Sequence, residues 1–139
     1  MLGVRVVALG EGTASVELPA GERTSNPFGT QSGGALYGLA DLAAAGAVAS
    51  AFRAELGRTR SLVRDATVTF TRPARGLARA HARIETPLNE LRTTLDADGR
   101  VVIPVVIDIA DADGQALAHV RLRWDLKRVD GIPIAASPH

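Results

Sequence analysis

The sequence predicts an α+β domain in which one long central helix is wrapped by a curved antiparallel β-sheet. Three observations predict it. Gly33 to about Leu56 is rich in Ala and Leu and free of proline, a helix of roughly 24 residues and about 36 Å at 1.5 Å per residue. Four strand-like segments follow it, three that alternate apolar and polar residues with the period of half-buried strands and one, Val101 to Ile109, that is β-branched. Strands and helix are segregated along the chain rather than interleaved, so βαβ units are not expected. A sheet with one apolar face buries it best by curling around the helix. Ala35, Ala40, Ala43, Ala44, Ala45, Ala47, Ala49 and Ala51 keep that helix thin enough for strands to approach closely.

Before the helix, Ala14, Val16 and Leu18 alternate with Ser15 and Glu17, and residues 1–9 supply a partner strand. Pro19 to Gly34 is dense in Gly, Pro, Ser, Asn and Thr and reads as loop. After the helix, Ala66, Val68 and Phe70 face one way and Thr67, Thr69 and Thr71 the other, until Pro73 and Gly76 turn the chain. Residues 77–86 form the next strand, and Leu88 to Leu95 a short helix before a turn at Asp98-Gly99. Val101 to Ile109 is β-branched, with Pro104 calling for a sheet edge or a bulge. Asp111 to Gly114 is a hairpin turn; an EF-hand loop aligned there would set Ile109 and Val120 at ligand positions. Gln115 to Lys127 closes the sheet. With no repeat and no linker, residues 1–128 form a single domain and 129–139 a C-terminal tail.

Composition agrees with that reading. A chain of 139 residues, 46% apolar and 22% charged, builds one core without cross-links. No cysteine is present, which excludes disulfides and a thiol nucleophile. The net charge of +1 is too small for a nucleic-acid surface. The apolar run at the N-terminus is too short for a signal peptide, and Gly33 to Phe52 carries Asp41 and several glycines, so no membrane span is expected. The expected location is the cytoplasm. His81 and His119 fall on a polar strand face; neither a metal site nor a cofactor is expected.

Asp41 is the residue that does not belong. Between Gly33 and Phe52 it is the only ionisable side chain apart from the Tyr37 phenol. An unpaired carboxylate on a buried helix costs several kcal/mol, so something compensates. Asp41 either faces a cleft as a general base or nucleophile, or pairs with an arginine or neighbouring loop. Gly33 and Gly34 bare the first backbone N–H groups of the helix, which lack intrahelical acceptors and sit at the positive end of the dipole. Such a tip can hold a carbonyl oxygen as it becomes negative, or the glycines simply permit a tight turn. Gly33 and Asp41 lie about 12 Å apart along one helix, too far for one small group to touch both. Two antiparallel helices across a two-fold axis would bring Gly33 of one near Asp41 of the other, giving two sites per dimer.

At these residues the chain resembles the hotdog thioesterase superfamily. Asn26-x-x-Gly29-Thr30-x-Ser32-Gly33-Gly34-x4-Leu39-Ala40-Asp41 is similar to its Asn-x-x-Gly-Thr-x-His-Gly-Gly-x4-Leu-x-Asp/Glu signature, and Ala66 to Ala74 resembles its strand ending in Arg-Pro-Ala. The likeness covers roughly residues 13–128, nearest the phenylacetyl-CoA thioesterase-like branch and hotdog relatives of unassigned function. It implies a thioester hydrolase in which the Gly33 N–H polarises the carbonyl, Asp41 of the other subunit acts as base or nucleophile, and Asn26 positions water or thioester. Gly34, Ser32, Thr30 and Tyr37 would line the substrate. The implied assembly is a homodimer, with tetramers left open, and the substrate an acyl-CoA or acyl-carrier thioester. Arg79, Arg83, Arg121 and Arg123 either attract CoA phosphates or cover a solvated sheet face.

Two positions depart from the pattern. Ser32 stands where the family places His, and Val63 where some relatives carry Ser or Thr. Both keep a non-catalytic acyl-CoA-binding protein as the alternative. A dehydratase would need a His in the loop before the helix. Thr30-x-Ser32-x-Gly34 falls one residue short of a nucleophile elbow, which also requires a strand before the serine.

Overall fold

The alternating segments pair as their periodicity expects. The structure, a computed structural model, describes residues 4–19 and 33–129. Strands β1 (Arg5–Gly10) and β2 (Thr13–Leu18) precede helix α1 (Gly33–Ala51). A 3-10 helix (Arg53–Arg58), β3 (Thr59–Phe70), β4 (Ala78–Ile84), α2 (Leu88–Asp98), β5 (Arg100–Asp111) and β6 (Ala116–Arg128) follow. The strands make one sheet in the order β1-β2-β4-β5-β6-β3, with every neighbouring pair antiparallel. The predicted tail lies beyond the described residues, save Val129, whose N–H donates to the Arg58 carbonyl at 2.9 Å.

The inward residues of β2, β4, β5 and β6 and one side of α1 merge into one core, with Leu18, Leu39, Ile103, Ile107, Val120 and Leu126 fully enclosed. Helix α1 lies over β2, β4 and β5, and its alanines do what their size allows: Ala40, Ala43, Ala44 and Ala47 are fully buried. The approach is close at Gly46, where an added Cβ would stand 3.0 Å from the Ala14 Cβ and 3.3 Å from Leu9 Cδ2. Gly46→Val is therefore expected to cost about 2–3 kcal/mol by overpacking, read as a lower midpoint in denaturant unfolding.

Three expectations are refined. The helix predicted to about Leu56 ends as an α-helix at Ala51. Phe52 leaves helical geometry and is buried, and the chain continues as a 3-10 turn. Arg92 of α2 donates to the Ala51 carbonyl at 2.9 Å and to Glu11 at 3.0 Å, satisfying one of the acceptors the helix end leaves open. Strand β3 starts at Thr59, seven residues before its clear alternation at Ala66. Pro104 lies in a strand that is interior rather than at the sheet edge, and without a bulge at that point. The register explains this: Val105 is the last β5 residue facing β4, opposite Ile84, so Pro104 sits just past the end of β4 while still opposing Arg123 of β6. The hairpin turn is as expected, with Gly114 at φ 83° and Asp111 Oδ1 accepting the N–H groups of Asp113 and Gln115 at 2.9 Å each.

Charge decorates the outer sheet face as cross-strand pairs. Glu17, largely buried on β2, receives Arg5 at 2.8 Å and Arg79 Nε at 2.9 Å. The Arg79 hydrogen bond, with Arg5 behind it, holds the Glu17 carboxyl below its ordinary pKa despite burial. Arg83 meets Asp108, Arg121 meets Glu85, and Arg123 meets Asp65. His81 bonds Ser15 and His119 bonds Asp108, both at 2.7 Å.

Strand β3 differs from the rest. It pairs only with β6, is mostly exposed on both faces, and leaves Leu62 and Phe70 more than half exposed. Its other edge carries no strand among the described residues.

Candidate active site

Glycine at the first two helical positions leaves the tip of α1 uncovered by its own side chains. Gly33 and Gly34 are exposed, and a Cβ on Gly34 would meet nothing within 4 Å. A Cβ on Gly33 would stand 3.3 Å from the Phe70 ring, so β3 delivers an aromatic edge directly to the tip. That neighbour was not foreseen from the sequence; Phe70 was read only as one apolar residue of an alternating strand.

Asp41 lies two turns further along, on the flank of α1 that the sheet does not cover. Gly38, Asp41, Leu42 and Ala45 are half-buried or exposed there, while Leu39, Ala40, Ala43 and Ala44 on the other side are buried. Tyr37, one turn before Asp41, packs partly against the core. The Asp41 carboxylate makes no hydrogen bond or ion pair with a described residue, and burial alone pushes its pKa above the ordinary aspartate value. An arginine partner on the sheet, one of the two readings open for this residue, is therefore not found among the described residues. Within one chain Gly33 and Asp41 remain about 12 Å apart along the axis.

Asn26, Thr30 and Ser32 lie outside the described residues. Val63, at the position of the second departure, packs against the core on β3 opposite Trp124 of β6. The Trp124 Nε1 is buried with no hydrogen-bond acceptor among the described residues, on the residue that opposes Val63 across the ladder. The arginines considered for CoA phosphates, Arg79, Arg83, Arg121 and Arg123, are all committed to carboxylates on the outer face. A depression of about 330 Å³ at the far end of α1, bordered by Phe52, Arg53, Glu55 and Arg92, contains none of the expected site residues.

An alanine-rich helix held in the curve of this six-stranded antiparallel sheet is the hotdog fold, which solved structures share. A *Pseudomonas aeruginosa* protein of unknown function, described as a probable thioesterase, superposes with a TM-score of 0.82 and 25% identity over 91% of this chain and 84% of its own. The *Haemophilus influenzae* thioesterase gives 0.74 and 23% over 94% and 82%. The PaaI protein of the *Escherichia coli* phenylacetic acid degradation operon gives 0.70 and 23% over 94% and 82%. Residues 2–126 match the family described as a domain of unknown function, DUF4442, and the chain belongs to that family. No curated protein matches it in sequence.

Proposed function

We propose that the protein is a homodimeric acyl-thioester hydrolase, acting on acyl-CoA or acyl-carrier thioesters in the cytoplasm. One observation carries the reading: a half-buried carboxylate, engaged by no cation among the described residues, on the open flank of a helix whose tip is bared by glycine. Two roles are needed to cleave a thioester, a base for water and donors for the oxyanion, and α1 carries a candidate for each. The 25% identical probable thioesterase supports the same chemistry.

In the proposed sequence the thioester carbonyl rests on the Gly33 N–H with Gly34 beside it. Asp41 of the second subunit takes a proton from water as the oxygen attacks the carbonyl carbon. The negative oxygen of the tetrahedral species is held at the helix tip. Collapse breaks the C–S bond, and the proton on Asp41 passes to the departing thiolate, leaving a carboxylic acid and a thiol. Asn26 would orient the water or thioester; Ser32, Thr30 and Tyr37 would line the substrate. Pairing through β3, whose outer edge has no partner among the described residues, would form the dimer and leave dimers free to associate further.

Val63 favours a second reading, since its methyl groups pack on the core where some relatives present a hydroxyl: binding of acyl-CoA without turnover. A panel of acyl-CoAs incubated with the protein and a thiol-trapping reagent separates the two. Catalytic thiol release over many turnovers is expected. Saturable acyl-CoA binding with no release would replace the hydrolase by the binding protein.

A further inference from the structure

The chain leaves the sheet beside the depression at the far end of α1. Thr59 opposes Arg128 in the β3–β6 ladder, and the next N–H, that of Val129, donates to the Arg58 carbonyl at 2.9 Å. The segment after β6 therefore sets out antiparallel to the 3-10 helix, from Arg58 towards Arg53. The Arg128 side chain holds Glu55 at 3.3 Å and Asp96 at 2.7 Å, and both acids line the depression of about 330 Å³. Residues 130–139 start at its rim.

The depression is apolar below and charged at its edge. Phe52 and Leu95 lie in its floor, and Leu56 of the adjoining 3-10 helix is 48% exposed. The acids of the rim are already engaged: Arg92 takes Glu11, and Arg128 takes Glu55 and Asp96. Arg53, exposed on the same rim, has no carboxylate among the described residues. The surface thus suits an apolar segment that carries an acid with it.

The sequence that follows Val129 has that composition: Asp130-Gly-Ile132-Pro133-Ile134-Ala135-Ala. Proline at 133 disfavours helical backbone at Ile132, and in extended backbone residues two apart share a face, here Asp130, Ile132 and Ile134. The reach is sufficient. At roughly 3.3 Å per residue, Ile132 extends about 10 Å and Ile134 about 17 Å beyond Val129. The six-residue 3-10 helix it must pass is about 12 Å long at 2.0 Å per residue.

We propose that this depression is the docking site of residues 130–135 of the same chain, with Ile132 and Ile134 covering Leu56 and the floor and Asp130 adding a carboxylate to the rim that carries Arg53. The chain has no cysteine, so a pair of introduced thiols reports one contact only. Ala54 is exposed and borders the depression; Arg60 is exposed, equally close to the exit of the chain, and lies outside it. Ala54→Cys/Ala135→Cys is expected to form an intramolecular disulfide roughly tenfold faster than Arg60→Cys/Ala135→Cys, since docking replaces a loose loop closure by a fixed approach. Adding Ile132→Asp/Ile134→Asp should bring the two rates together.

A second measurement needs no thiol. Truncation after Val129 is expected to lower the melting temperature by about 3–8 °C, and Ile132→Asp/Ile134→Asp in the full chain by a similar amount, because both leave the apolar surface open. Equal disulfide rates at positions 54 and 60 overturn the proposal, as does a truncated chain that melts with the full one. A disulfide found only between two chains overturns it as well, by giving the depression to the segment of a second copy.

Discussion

Asp41→Asn is expected to lower thiol release by about 10²–10⁴-fold, the usual worth of a positioned base, while leaving the melting temperature unchanged or slightly higher. The two readouts diverge because burial raises the Asp41 pKa above its ordinary 3.8 and no described cation offsets it. A carboxyl with a raised folded-state value stabilises the fold fully below its unfolded value, and that contribution is lost as pH rises through the folded one. At neutral pH the ionised Asp41 is therefore a burden on the fold, which the neutral, near-isosteric Asn lifts. Catalysis has the opposite sign: a base works only when ionised, so the wild-type rate should climb as pH rises through the displaced pKa and level off above it. Thiol release by Asp41→Asn at the wild-type rate would remove Asp41 from the chemistry. Loss of activity together with a large drop in melting temperature would recast it as a structural group.

The parts of the molecule that follow from local periodicity were legible in the sequence. Alternation at Ala14, Val16 and Leu18, and again at Val120, Leu122 and Leu126, requires one buried strand face, and those residues are buried. The alanines of α1 required close strands, and Gly46 against Ala14 shows how close. Features decided by contacts distant in sequence were hidden. Nothing near Leu56 says that α1 stops at Ala51; that depends on Phe52 turning into the core and on Arg92, 41 residues away, reaching the Ala51 carbonyl. Pro104 implied an edge, and only the length of β4 shows that the edge is a local one. At the site, Asp41 stood out because a charge in an apolar helix is visible in one dimension. The Phe70 ring edge beside the tip of α1 and the Trp124 donor left unmet among the described residues both arise from neighbours distant in sequence. Arginines on the sheet could be counted from sequence, but not divided into those with a carboxylate and those without.

Mixing two inactive variants is expected to restore activity, because the proposed site takes its donor from one subunit and its base from the other. Asp41→Asn keeps the helix tip and lacks the base. Gly33→Pro keeps the base and removes the tip N–H, at a helical position that tolerates proline because its N–H has no intrahelical acceptor. Each homodimer has two damaged sites. A dimer with one copy of each has one site with both parts intact and one with neither, so random reassortment of equal amounts should recover about a quarter of wild-type activity. A site contained within one subunit would recover nothing, and that result would break the link between symmetry and mechanism. The interface that permits the exchange is testable in parallel. Ala66 on the inner face of β3 and Leu42 on the flank of α1 are both exposed in the single chain, Leu42 at 47%. Glutamate at either position should be tolerated by the isolated fold yet opposed where a second copy packs, since an unpaired charge at an interface is costly. Ala66→Glu/Leu42→Glu is thus expected to sediment as a folded monomer with little thiol release. An active monomer would show that α1 needs no second copy, because the open edge of β3 would then be a surface and not a seam.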